Sequence, residues 1–367
     1  MLTEARRKKI EEIRAAVADM LAFRDRSVSD PLHQPSEFWK LTNRYISYVR
    51  ELSVEQLENI RCHVGMGFFL GSPWDKDFYS GFQTRSNLEA EKLPMIAAYL
   101  KYTKNIPAKY MASEYETNDL VSAIGVRYEG RLINSDILKA QAAIANLYNV
   151  GLLDALEGEA LVAEIGPGYG QLISQLSRGC GKNCRFVLID YPETLFWSGI
   201  FIALHADPEQ IYVWNPGHEA SASTLKKYRY FLIPNFFVEW IARLGTFDLV
   251  INCNSFQEMS DRQIALYAKF FSHTTKGWLY SYNANRQFMN MEIRQSVASV
   301  LCEYFLGGPD DHELEAAGFD IHNPHAKRLF VGRSKTLPAP ADPQQKSRTV
   351  WIADRPFDFH LSGSRER

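Results

Sequence analysis

Apolar positions in the first 150 residues recur at helical spacing. Ile10, Ile13, Val17, Met20 and Leu21 form one stripe with charges between them, which predicts an amphipathic helix. Residues 38–49 and 137–148 repeat the pattern, and the second stretch opens on Asn134-Ser135-Asp136, side chains suited to capping a helix N-terminus. Residues 67–81, rich in glycine and aromatics, read as a structured loop. From Ala160 the pattern changes. Short apolar runs at 161–165, 185–190, 230–233, 247–252 and 278–283 read as strands. Helical stretches follow them at 171–176, 194–204, 236–244, 261–271 and 292–305. Strands alternating with helices build a parallel sheet covered on both faces, so the expected class is α/β. Residues 211–214 compete for the third strand. The run 230–233 is preferred, because an amphipathic segment and then a clear strand follow it; residues 205–227 then become an insertion over the sheet's rim. Residues 319–322 and 328–331 predict a terminal antiparallel pair. Pro338, Pro340 and Pro343 make the following stretch a linker or strap. The chain thus divides into a helical amino-terminal or lid domain (1–155), a sheet domain (156–334) and a carboxyl-terminal strap (335–367).

Composition narrows the function classes. The 367 residues hold 41 Lys+Arg and 43 Asp+Glu, a formal charge of −2. A nucleic-acid binder would show a basic excess or stripe, so nucleic acid is not an expected partner. No stretch approaches the roughly 20 apolar residues of a membrane helix, and the amino terminus has no apolar signal core. The five cysteines are odd in number and scattered, as fits reduced thiols in the cytoplasm. Cys180 and Cys184 lie close, but zinc would require two further ligands at matching spacing. Aromatics are abundant at 13%. Most should fill the core, leaving a few as flat faces for a ligand.

The most informative stretch is Glu164-Ile165-Gly166-Pro167-Gly168-Tyr169-Gly170, with Asp190 at the end of the next strand. A strand entering a glycine turn and then a helix lets backbone approach a ligand closely. A carboxylate at the tip of the second strand can accept from both ribose hydroxyls. The dinucleotide fingerprint GxGxxG requires its third glycine where Gln171 stands, so a nicotinamide cofactor is disfavoured. Taken alone, the glycines could merely connect two elements and Asp190 could be an exposed turn acid.

The pattern ExGxGxG resembles motif I of class I S-adenosylmethionine (AdoMet) methyltransferases. Together with Leu188-Ile189-Asp190-Tyr191-Pro192-Glu193-Thr194-Leu195 and the run from Phe247 to Met259, which ends Asn254-Ser255-Phe256-Gln257-Glu258-Met259, it is similar to the bacterial sugar O-methyltransferase family. The resemblance covers residues 160–285. Pro167 and Tyr191 depart from the family's usual residues without removing a polar contact. It implies a Rossmann-like doubly wound sheet, AdoMet as cofactor, and methyl transfer to a sugar hydroxyl of a nucleotide sugar or glycosylated metabolite. Cofactor contacts would come from Glu164, Gly166, Gly168, Gly170 and Asp190, with Asn235 and Phe236 at the adenine and Asn252 at the end of the fourth strand.

A sugar hydroxyl is a very weak acid, so transfer to it calls for a general base. Glu258 is the first candidate; as a first-turn helix acid it could equally serve the helix dipole. His218, in the insertion, is the second. Asn254, Ser255, Gln257, Asn283, Asn285 and Arg286 are candidates for gripping the acceptor. Tyr128, with Tyr79 and Tyr110, could close over it from the helical half. A divalent metal could lower the hydroxyl's pKa, but no converging set of acids is visible and metal is not favoured. The alternatives are a methyltransferase for phenols or amines, and an inactive binding subunit of the same fold. A homo-oligomer stays compatible with all of these.

Overall fold

The protein, seen in a computed structural model, is described over residues 2–61, 85–115, 125–217, 222–237, 241, 245–284, 292–307 and 327–337. The helix read from the first apolar stripe is α1 (Glu4–Ser27), with Ile10, Ile13, Val17 and Met20 buried and the Thr3 hydroxyl accepting from Arg6 N. Then come α2 (Glu37–Ile46), capped by Ser36, α3 (Arg85–Thr103) and α4 (Ser135–Asn149). The α4 cap is Asn134, whose side chain accepts from Ile137 N at 2.9 Å. Between α3 and α4 lies an antiparallel hairpin the pattern did not reveal, β1 (Val126–Tyr128) with β2 (Arg131–Ile133). Its turn residues Glu129 and Gly130 both have positive φ (46° and 74°), as tight hairpin turns require. Three-residue strands are too short for alternation to register.

The second half holds β3 (Leu161–Ile165), α5 (Gln171–Gly179), β4 (Arg185–Asp190), α6 (Pro192–His205), β5 (Ile211–Val213) and β6 (Tyr230–Pro234). These are followed by β7 (Phe247–Cys253), α7 (Asp261–Thr274), β8 (Thr275–Ala284), α8 (Val297–Tyr304), β9 (Phe305–Gly307) and β10 (Lys327–Ser334). Among the described residues the strands of this half form one eight-stranded sheet in the order β5-β6-β4-β3-β7-β8-β10-β9. Pairing is parallel from β5 through β8. β10 runs antiparallel between β8 and β9. The strand order reverses around β3, and in such doubly wound sheets the ligand crevice opens beyond the carboxyl ends of the strands there. The class is therefore α/β with a Rossmann-like doubly wound sheet. The central strands are buried along nearly their whole length, which explains their continuous apolar runs.

Three expectations change. Residues 211–213 and 230–234 are both strands, so within the expected insertion 211–213 extend the sheet as its edge strand instead of lying over its rim. That edge is pinned by Lys9, whose Nζ donates to Ile211 O at 3.0 Å. The helix expected over 292–305 spans only Val297–Tyr304: Ser296 caps its start by accepting from Ser299 N, and Phe305 begins β9. Residues 328–331 lie in β10 and pair with β8, the later residues 332–334 of the same strand pairing with β9, while 319–322 lie outside the described residues. The loop read at 67–81 and the strap beyond 337 also lie outside them.

The helical half does not stand apart from the sheet. One apolar cluster runs from Ile10 through Ile133 and Ile144 to the strands and Phe330. α1 lies along α6, and the approach is close at Gly199. A Cβ there would sit 2.7 Å from Leu232 Cδ1 and 3.1 Å from Ile13 Cγ2.

Candidate active site

At the carboxyl end of β3 the chain turns through Gly166, Gly168 and Gly170, all at positive φ (69°, 57° and 89°). Such backbone is costly for any residue with a Cβ. Gly166 is also sterically fixed: a Cβ would lie 2.0 Å from Ser255 Oγ and 2.4 Å from Ser255 Cβ. Gly168 differs, since a Cβ there would meet nothing within 4 Å, so the middle of the loop faces open space. Tyr169 turns inward beneath the Arg61 guanidinium, 5.0 Å from the ring centroid. Arg61 is itself held by Glu114 Oε2 (2.9 Å) and Asp136 Oδ2 (2.8 Å), and Asn134 Nδ2 donates to the same Glu114 oxygen. A buried ion cluster of the helical half thus anchors the glycine loop.

Asp190, at the tip of β4, accepts from Tyr191 N at 2.8 Å. Burial pushes its carboxyl up to about 8, against the opposing pull of the Tyr191 and Gly168 amides. Glu164 is also pushed up to about 8, by burial first and then by the charge of Asp190. Its Oε2 is buried without a hydrogen-bond partner. Asn235, after β6, donates from Nδ2 to His33 O at 2.9 Å, and its Oδ1 is likewise buried and unpartnered. Two acceptor oxygens, at the ends of β3 and β6, therefore lack donors, an arrangement suited to a ligand rich in hydroxyl and amino donors.

The loop after β7 is set by interlocked amides. Asn252 Nδ2 donates to Ile165 O (2.9 Å), and its Oδ1 accepts from Phe256 N (3.0 Å) and Asn283 Nδ2 (2.9 Å). Asn283 also donates to Ser281 Oγ and accepts from Gln257 N, while Gln257 Oε1 accepts from Ala284 N at 2.7 Å. Asn252 and Asn283 were expected at the cofactor and the acceptor; both are buried and bonded to protein on each polar atom, so they brace the loop. Asn254 has φ 57° and Ser255 packs on Gly166, so this loop and the glycine loop shape each other. Glu258 is 5% exposed. Its Oε2 accepts from Trp39 Nε1 at 3.1 Å and its carbonyl from Ser36 Oγ at 3.1 Å.

Other expected residues sit differently. Phe236 stacks on Phe23 (5.8 Å, 22° between planes) and meets the edge of Trp214, so α1 takes one face expected to meet adenine. Tyr128 lies in the hairpin and bonds Glu129. The hairpin's turn lines a hollow with Lys109, Gln175 and Arg178, beside the later part of α5 and not its glycine end. Tyr110 is buried and donates to Glu157 Oε1. His205 packs between Tyr115 and Phe201, and burial lowers it to about 3, followed by the charges of Arg6 and Arg178. His218, Asn285, Arg286 and Tyr79 lie outside the described residues. Among the described residues no three His, Cys, Asp or Glu side chains gather as a metal site would need. No helix among them is long and apolar enough to cross a membrane. Trp39, Ser36, Arg24 and Gln263 reach this site without having been singled out, because their partners lie more than 150 positions away in the chain.

No protein-family profile matches the chain, and no curated protein matches it. Among solved structures, 67% of the chain is similar to 95% of magnesium protoporphyrin IX methyltransferase from Synechocystis with bound AdoMet, at 10% identity and TM-score 0.34. A further similarity joins 51% of the chain to 86% of an N-methyltransferase from Bradyrhizobium japonicum in complex with S-adenosylhomocysteine, at 15% identity and TM-score 0.31. Another joins 52% of it to 96% of an rRNA methylase from Streptococcus thermophilus, at 14% identity and TM-score 0.31. At such identities and scores these likenesses assign neither family nor substrate.

Proposed function

We propose that this chain is an AdoMet-dependent O-methyltransferase whose acceptor is a sugar hydroxyl, on a nucleotide sugar or a glycosylated metabolite. One observation carries the cofactor assignment. Three positive-φ glycines end β3, the middle one open, beside Asp190 on the next strand and the unpartnered oxygens of Glu164 and Asn235. These groups fit AdoMet: ribose hydroxyls as donors for Asp190, the adenine amino group as a donor for Asn235 Oδ1, and glycine backbone at the methionine end. AdoMet supplies a methyl already activated on a sulfonium, so the protein's task is orientation and removal of the hydroxyl proton. Glu258, on the loop after β7, is assigned as the base. Support for a sugar, as against a phenol or amine, comes from the Ser255-Phe256-Gln257-Glu258-Met259 block and the near-neutral net charge.

The test is calorimetric titration with AdoMet, then S-adenosylhomocysteine release with a panel of nucleotide sugars, phenols and amines. AdoMet binding and release with a sugar are expected, with a large loss in Glu258→Gln. Transfer only to phenols or amines would overturn the acceptor class. Absence of AdoMet binding by folded protein would leave a binding subunit of this fold. Chelation with EDTA is expected to leave transfer unchanged.

A further inference from the structure

Three consecutive backbone carbonyls in the connection between α1 and α2 are gripped by side chains of the sheet half. Gln263 Nε2 donates to Leu32 O and Gln34 O, each at 3.2 Å, and Asn235 Nδ2 donates to His33 O at 2.9 Å. Just beyond, Ser36 and Trp39 bond the carbonyl and the carboxylate of Glu258. The Trp39 ring also lies on Tyr191, with centroids 6.0 Å apart. Before the connection, Arg24 at the end of α1 holds both carboxylate oxygens of Glu193 at 2.9 Å. Every anchor on the sheet side lies after a strand's carboxyl end. Tyr191 and Glu193 follow β4, Asn235 follows β6, Glu258 follows β7, and Gln263 is in the first turn of α7. Those strand ends carry the candidate cofactor groups, among them Asp190, which is only 8% exposed.

We propose that residues 28–39 form a hinged cover over the cofactor cleft, fixed at the Arg24–Glu193 end, and that Trp39 on this cover is a positioning residue for Glu258. The identity of the occupant rests on the methyltransferase reading above. The cover is bounded and stiffened by Pro31 and Pro35, and Asp30 Oδ1 closes its turn by accepting from Leu32 N at 2.9 Å. It can therefore swing as a preformed piece. Apart from the Trp39 bond to the Glu258 carboxylate, its grips are neutral hydrogen bonds to carbonyls, individually modest in water, whereas the hinge end carries a charged bidentate pair. Asp190 is 8% exposed, so a cofactor as large as AdoMet needs the cleft to open before it reaches that carboxyl. When the cover closes, the indole N–H fixes one Glu258 oxygen, so sealing the cleft and setting the base become one event.

Gln263→Glu separates the grip from the fold. It keeps an acceptor for Ser260 N, which completes the cap of α7 at 3.0 Å, and it removes both donors to the cover. The expected result, by stopped-flow tryptophan fluorescence with AdoMet, is dissociation about tenfold faster than wild type, on the order of the loss of one or two hydrogen bonds. Hydrogen exchange of the amides in 28–36 should also accelerate, with or without AdoMet. Trp39→Phe keeps a ring on Tyr191 and loses the N–H. With an accepted sugar it should lower kcat about tenfold and shift the acid limb of the kcat–pH profile, leaving KM for AdoMet within about twofold, an effect of the size seen when a base is misplaced. Unchanged AdoMet rates and exchange in a folded Gln263→Glu protein overturn the cover. A Trp39→Phe effect confined to KM overturns the positioning role. If wild type binds no AdoMet, the cofactor reading has failed and the Trp39 role falls with it. Exchange over 28–36 then still decides the cover: equal protection in both proteins refutes it.

Discussion

Substituting Gly166 by alanine tests the best-defined contact at the site. Two separate costs follow from the geometry. At φ 69° an L-residue pays the left-handed penalty of roughly 1–2 kcal/mol. The new Cβ would also sit 2.0 Å from Ser255 Oγ and 2.4 Å from Ser255 Cβ, an overpacking that costs typically about 1–3 kcal/mol. The sum, about 2–5 kcal/mol, is a large share of the roughly 5–15 kcal/mol by which ordinary domains are stable. The two costs separate in a double-mutant cycle. Ser255→Gly removes both clashing atoms, so in the Gly166→Ala background it should restore the steric share, about 1–3 kcal/mol, and leave the backbone share. Ser255→Ala keeps the Cβ at 2.4 Å and should restore little. Urea unfolding of the wild type, the single variants and the pairs measures this, provided the slopes with denaturant agree. Additivity of Gly166→Ala and Ser255→Gly to within about 0.5 kcal/mol would refute the packing argument. A Gly166→Ala protein as stable as wild type would refute both parts.

Four other outcomes are expected. Asp190 and Glu164 are both held near 8 in the folded chain, above the ordinary carboxylate range. The stability associated with their neutral forms is thus present at low pH and lost as pH rises through about 8. Thermal scans of the cofactor-free protein should show Tm falling over that window, with a shallower fall in Asp190→Asn. AdoMet binding, which favours ionised Asp190, should release protons at pH 7, seen by calorimetry in buffers of different ionisation enthalpy. Arg24→Met strands the buried Glu193 carboxylate and should cost about 3–5 kcal/mol in urea unfolding, whereas pairing it with Glu193→Leu should recover most of that. No recovery would show that the pair is not an isolated interaction. Asn252→Ala leaves Ile165 O, Phe256 N and Asn283 Nδ2 each short of a partner, and should lower stability by a few kcal/mol, at about 1–3 kcal/mol per stranded buried group. Unchanged stability with weakened AdoMet binding would return Asn252 to the cofactor.

Much of the site could be read along the chain because its signals are local. The glycine spacing of residues 166–170 states a backbone conformation directly, since positive φ belongs mainly to glycine. Asp190 is identified by following the apolar run of β4 to its end. Asn252 and Asn283 show what a linear reading cannot distinguish: an amide looks the same whether it faces a ligand or a neighbouring carbonyl. Here each is bonded to protein on both polar atoms, by partners on β3, β8 and the loop after β7. Phe236 is a similar case, since its stacking partner Phe23 comes from a helix that packs on the sheet only after folding.

The amino-acid sequence by itself determined the alternation of strands and helices, the parallel α/β class and the glycine turn with its following acid. Each of these depends on side-chain period or backbone preference within a few residues. Tertiary structure decided which residues guard that turn. The edge strand β5, the ion cluster over Tyr169, and the connection that carries Ser36 and Trp39 onto Glu258 all join positions far apart in the chain. Such contacts depend on which faces bury together, and no local period encodes them.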